Sequence, residues 1–176
     1  VLFDSYIAIT DSQGRLIARC DDSVLHLQDP VLSIVVPEDG FYQIQVRDAS
    51  WGGADDFAYR LHIGSFPRPT TIYPLGGPAG MPIEATFLGD PLGPIRQTFT
   101  PPVGARDDFE VVSESDGVRA PSGNRFRVVT FPNVMESGDN HTLGQATMAG
   151  MEPPFAFNGI LAKSGEADWF GFKATK

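Results

Sequence analysis

Three imidazoles, His26, His62 and His141, are the side chains best suited to moving protons near neutral pH, and their surroundings decide whether they do chemistry. A serine hydrolase needs a nucleophile on a strained turn with a base within hydrogen-bond reach, and no Gly-x-Ser-x-Gly run occurs. His26 falls in a loop, His62 on the polar face of a strand pattern and His141 in a long polar stretch, so all three read as surface histidines. His-Glu-x-x-His, Cys-x-x-Cys and glycine-rich phosphate loops do not occur either, which removes the common zinc, redox and nucleotide readings. The expectation is a chain that is not an enzyme.

Two features remain that could bind. Calcium takes six to eight oxygens from carboxylates and loop carbonyls, and Asp21, Asp22, Asp48, Asp55 and Asp56 all stand at strand ends. They read either as solvated turn residues or as calcium ligands, whereas Asp11 caps its own turn. Trp51, ahead of Gly52 and Gly53, reads either as an exposed ring that grips a polymer, sugar or peptide, or as a ring folded back over a sheet edge, and Tyr59 is the second ligand-binding candidate. Trp169 and Phe170 read as core.

These residues must be positioned by strands. In Phe41-Tyr-Gln-Ile-Gln-Val-Arg47 the apolar Tyr42, Ile44 and Val46 alternate with Gln43, Gln45 and Arg47, and in Phe57 to Ile63 the apolar Phe57, Tyr59, Leu61 and Ile63 alternate with Arg60 and His62. With the apolar run Val31 to Val36 and the turn Pro37-Glu-Asp-Gly40, they predict an antiparallel meander. Ser5 to Thr10 and Arg15 to Cys20, joined by Asp11-Ser-Gln-Gly14, predict a hairpin with Cys20 as a small buried hydrophobe. Phe66-Pro-Arg-Pro69 suits an extended connector. Beyond it, strands are expected at 70–73, 82–88, 95–99, 109–112 and 125–131. The stretch 133–157 loses periodicity and reads as a linker, and 158–162 and 168–173 resume as strands. No apolar stripe with a 3.6-residue period appears, so the predicted fold is all-β.

Composition agrees. Nineteen Gly and 15 Pro among 176 residues fit short strands with punctuated turns, and the net charge of −9 would repel a duplex or an anionic bilayer. A single cysteine allows no internal disulfide. No apolar stretch approaches the roughly 20 residues that span a bilayer. Val1-Leu-Phe-Asp-Ser has neither a basic start nor a cleavage pattern, so the chain is expected to begin inside a longer protein or after processing.

The residues Asp4 to Asp22, Pro37 to Asp48 and Gly52 to Leu61 together resemble the bacterial pre-peptidase C-terminal domain, a β-sandwich appended to secreted peptidases and related to the collagen-binding domains of bacterial collagenases. That family opens with a run like Asn158 to Phe172, which here stands at the far end of the chain. Thr71 to Gly89 is similar to the opening of an immunoglobulin-like domain of the kind found in large exported planctomycete proteins.

The resemblance implies two small antiparallel sandwiches: residues 1–65, pre-peptidase-like but lacking their first strands, and 66–132, immunoglobulin-like. Residues 133–157 then link them to 158–176, whose strands complete the 1–65 sandwich, either within one chain as a monomer or in a strand-swapped dimer. It implies a secreted or cell-surface accessory module for adhesion, substrate docking or spacing, with a protein or polysaccharide surface as partner, neither nucleic acid nor membrane insertion, and no cofactor beyond the calcium just weighed. The competing readings are a fragment of a secreted hydrolase whose catalytic domain lies elsewhere, and a purely structural repeat.

Overall fold

In the computed structural model residues 3–106 and 108–175 are described, and the chain is all-β, with no α-helix among them. Val1, Leu2 and Lys176, at the outer ends of the two stretches expected to form one sandwich, lie outside the described residues. The first elements are β1 (Ser5–Asp11), β2 (Leu16–Cys20) and β3 (Tyr42–Asp48). They are followed by β4 (Thr71–Tyr73), β5 (Gly76–Pro78), β6 (Ile83–Leu88), β7 (Ile95–Phe99) and β8 (Glu110–Val111). Next come β9 (Glu114–Ser115), β10 (Val118–Arg119), β11 (Asn124–Arg125) and β12 (Arg127–Val129). The last are β13 (Asn133–Met135), a 3-10 turn at Leu143–Gln145, β14 (Thr147–Met148), β15 (Ala156–Asn158) and β16 (Phe170–Gly171).

Two compact units take alternating stretches of sequence: Val1–Thr71, Leu88–Ile95 and Val112–Asn124 form one, and Ile72–Phe87, Arg96–Val111 and Arg125–Lys176 the other. The 66–132 stretch is therefore shared between them. Pro67 and Pro69, expected in an open connector, are buried, and the Pro69 carbonyl accepts from Asn124 Nδ2 at 3.1 Å.

The first unit is organised on the antiparallel sheet β2-β1-β3. Its hairpin forms because the Asp11 carboxylate satisfies the turn from within, Oδ1 accepting from Gln13 N and Arg15 N, both at 2.9 Å, while Gly14 adopts φ 78°. Burial alone would raise that carboxyl, but the Arg15 and Gln13 backbone donors and the Arg15 guanidinium hold it below its ordinary value. Cys20 is half-buried rather than core, its thiol donating to the Asp22 carbonyl at 3.3 Å. The expected meander reduces to β3. Residues 31–36 and 57–63 form no ladder, and Val35, Tyr59, Leu61 and Ile63 are exposed, because alternation makes a strand only where a neighbour supplies hydrogen bonds and cover.

The second unit holds the main apolar core, in which Phe87 and Phe126 are fully buried with Ile72. Phe99 meets Phe126 edge-on at 5.0 Å between centroids. The sheet β4-β6-β7 supplies Ile72, Ile83, Ala85 and Phe87, and β6 buries every second residue. Three short pairs, β12-β5, β13-β15 and β14-β16, are parallel where antiparallel pairing was expected.

The C-terminal stretch corrects two further expectations. Residues 133–157 are not a linker, since β13, β14 and β15 lie there. Nor does β16 extend the β1–β3 sheet: it pairs with β14, Thr147 opposite Phe170, flanked by Thr147 N to Trp169 O and Ala149 N to Gly171 O, both at 2.9 Å. A partner about 20 residues away costs little loop entropy, and the rings stack locally, Phe157 on Phe170 at 4.6 Å and Phe155 on Phe157 at 5.0 Å. Trp169, expected in the core, is 42% exposed.

Candidate functional site

The register of the first sheet sets Tyr6 opposite Arg47 and Ser5 opposite Asp48. Cross-strand neighbours share a face, and the Arg47 guanidinium carbon lies 3.7 Å from the centroid of the Tyr6 ring. The same group lies 4.3 Å from the Trp51 ring, so one cation backs two aromatic rings. Its Nη1 donates to the Asp48 and Ala49 carbonyls, each at 2.8 Å, which fixes the plane of the guanidinium. Its Nε is buried with no hydrogen-bond partner.

Asp48 builds the turn that carries Trp51. Its Oδ1 accepts from Ser50 N at 3.0 Å and from Gly52 N at 2.8 Å, its Oδ2 accepts from Asp4 N at 3.2 Å, and its own carbonyl accepts from Trp51 N at 3.0 Å. The Gly52 N–H, against the opposing effect of burial and helped by the Asp4 and Ser50 donors and the Arg47 charge, holds the carboxyl below the usual aspartate range. Closing the turn puts Trp51 at φ 61°, a left-handed backbone that a bulky side chain rarely takes. The indole is 73% exposed. Trp51 thus combines both features expected of it, a ring open to solvent and one face laid on Arg47 of the edge strand β3. Tyr59, the companion candidate, is exposed in the irregular 57–63 segment.

The candidate calcium ligands divide. Asp21, Asp22 and Asp48 each act on the charge of Asp4, which the sequence did not single out: burial first, then the charges of Asp22, Asp21 and Asp48, push the Asp4 carboxyl up, and its Oδ1 is buried without a partner. Asp55 and Asp56 are exposed beside the turn at 54–58. Asp48 fits the ion poorly, since both its oxygens already accept backbone N–H groups. Among the described residues no group of three or more His, Cys, Asp or Glu is arranged to hold a metal ion.

Two of the three histidines have partners far from them along the chain. In the first unit His26 Nε2 lies 2.8 Å from Ser122 Oγ and 2.9 Å from Arg68 Nη2. Arginine only donates, so Nε2 is the acceptor, and the lone pair a general base would use is already engaged. Among the described residues no carboxylate is paired with this ring. In the second unit His141 Nε2 lies 2.9 Å from Glu166 Oε1, and Nδ1 3.3 Å from Asp168 Oδ1. The Lys163 N–H, opposed by burial and aided by the Ala162 N–H, His141 and Lys163, holds the Glu166 carboxyl low. Tyr73 donates to the Asn158 carbonyl at 3.2 Å, and burial, then the Glu136 and Asp168 charges, push its phenol up. His62 is simply exposed.

With this geometry in hand, comparison with known proteins finds nothing similar: no family model, no curated protein and no solved structure matches the chain.

Proposed function

We propose that this chain is a non-catalytic accessory module of a larger exported protein, one that docks on a protein or polysaccharide surface through Trp51 and needs no cofactor to do so. The observation that carries the reading is the indole at φ 61°, open to solvent, braced by Asp48 and backed by Arg47. A large apolar ring held outward by a strained backbone is stabilised for use rather than for folding. Retention of the wild-type chain and of Trp51→Ala on insoluble protein and polysaccharide matrices is the test. Retention by the wild type and its loss in the variant is the expected result, and equal retention of both would remove Trp51 from the account.

The second reading, a hydrolase fragment, has one observation in its favour, the contact between His26 and Ser122. Hydrolysis of peptide or ester substrates that survives repurification and disappears in Ser122→Ala would establish it. The Arg68 donor on the same nitrogen weighs against it, and no turnover is expected.

A further inference from the structure

We infer that the ligand of the Trp51 platform is a neutral polysaccharide, an inference that rests on the docking reading above and names its substrate class. The first step is electrostatic. The face of an indole attracts one cation, and here the Arg47 guanidinium already occupies one face at 4.3 Å. A second cation on the open face would meet like charge through the ring, which disfavours methylated amines and Lys- or Arg-rich peptides. Polyanions are disfavoured in turn by the carboxylates of Asp48, Asp55 and Asp56, all within five residues of Trp51, and by the net charge of −9. What suits the open face is an uncharged ring that stacks flat.

The second step is hydrogen-bond matching. A pyranose and a proline ring both stack on an indole, but they differ in what surrounds the stacked face. Just downstream of Trp51 in the sequence, Gly52, Gly53, Asp55 and Asp56 are all exposed, the two aspartates bring carboxylate acceptors, and a side chain at Gly53 would meet nothing within 4 Å. Sugar hydroxyls supply O–H donors in adjacent pairs to such acceptors, whereas a proline-rich segment brings carbonyl acceptors and no donor at the proline nitrogen. The third step is preorganisation. With the turn fixed by Asp48 and the ring by Arg47, little side-chain freedom remains to be lost on binding, and a polymer that repeats the same ring offers that one stack many equivalent places to form.

Affinity electrophoresis of the full chain tests this, in native gels cast with a soluble β-glucan, xylan or galactomannan, with polygalacturonate and gelatin as the charged and proline-rich controls. The expected result is retardation in at least one neutral glycan gel, lost in Trp51→Ala, largely kept in Trp51→Phe, and absent with polygalacturonate. In a Trp169→Phe background the remaining indole should gain protection from acrylamide quenching when that glycan is added. Retardation by gelatin alone, lost in Trp51→Ala, would overturn the glycan assignment while leaving the docking reading standing. Glycan retardation unchanged in Trp51→Ala would sink both, and no retardation in any neutral glycan would overturn this inference. The circular dichroism of each variant, matched to the wild type, separates lost binding from lost fold.

Discussion

The Oδ1 of Asp48 accepts the backbone N–H of Gly52 at 2.8 Å, and this bond closes the turn on which Trp51 stands. Asp48 is held below the ordinary aspartate value of 3.8, so its contribution to stability is fully present above that value and fades as pH falls toward and through the lower folded-state value. Asp48→Asn keeps the shape but removes the charge that the N–H groups favour. Its melting midpoint should lie below that of the wild type at neutral pH, and the gap should close as pH drops below the ordinary aspartate range. A gap that stays constant through acid would show that the charge is not what matters.

Asp4 carries the opposite sign. Its carboxyl is pushed up by burial and by Asp22, Asp21 and Asp48, so ionisation opposes folding at neutral pH and the opposition is relieved by protonation. Asp4→Asn should therefore raise the midpoint at neutral pH and make no difference in acid, below the unfolded-state value of 3.8. Thermal melts at the two pH values decide it. A lower midpoint at neutral pH would mean the carboxylate has a partner that stabilises it.

What could be read from the sequence follows the reach of each interaction. The Asp11 turn is local, with carboxylate and donors two and four residues apart, and the type of each residue announces it. Asp4 to Asp48 spans 44 residues and His26 to Ser122 spans 96, and nothing in a single sequence signals either. The strands between Asn133 and Gly171 are two or three residues long, too short for alternation to show, which is why a polar stretch looked like a linker. Trp51 is legible as a candidate from its place before two glycines, but the second ring on its cation, Tyr6, is brought there by the register of β1 and β3.

Glycine substitutions separate backbone strain from collision. Gly14 sits at φ 78° with open space around it, so Gly14→Ala should cost about 1–2 kcal/mol from the left-handed backbone alone. Gly89 sits at φ 85°, and a methyl group there would run into the Thr70 side chain, so Gly89→Ala should cost more. Urea denaturation compares the two. Equal losses would show that Thr70 moves aside freely.

In the second unit, Phe126 is buried against Phe99 and Phe109 and has no way to reach solvent without opening the core. Phe126→Ala should cost about 3–5 kcal/mol, a large share of the roughly 5–15 kcal/mol that holds a small domain together. Because Arg47, Asp48 and Trp51 lie in the other unit, their turn should report independently of this loss. Indole quenching in Trp169→Phe and in Trp169→Phe/Phe126→Ala, under mild urea, measures it. Release of the Trp51 face covered by Arg47 at the same urea concentration as loss of the Phe126 core would show that the two units unfold as one.

The last expectation concerns the apolar side chains that the first unit leaves uncovered. Among its described residues the buried apolar side chains are Ala8, Pro67, Pro69 and Ala120, while Val35, Phe41, Tyr59, Leu61 and Ile63 are exposed, Phe41 at 88%. The β1–β3 sheet has two edges, β2 and β3, and residues 31–36 and 57–63 carry strand-like apolar patterns with no ladder. Open edges beside uncovered apolar groups are a template for pairing with another chain. A second copy of this chain is the partner proposed, since every copy carries the same unpaired segments. Sedimentation equilibrium over a wide concentration range should then show a monomer giving way to a dimer, and Phe41→Ser with Ile63→Ser should shift that equilibrium back to monomer. The same double variant should bind less of an apolar dye. A wild-type chain that stays monomeric at the highest concentration reached, with dye binding unchanged in the variant, would show that these side chains recruit no second copy.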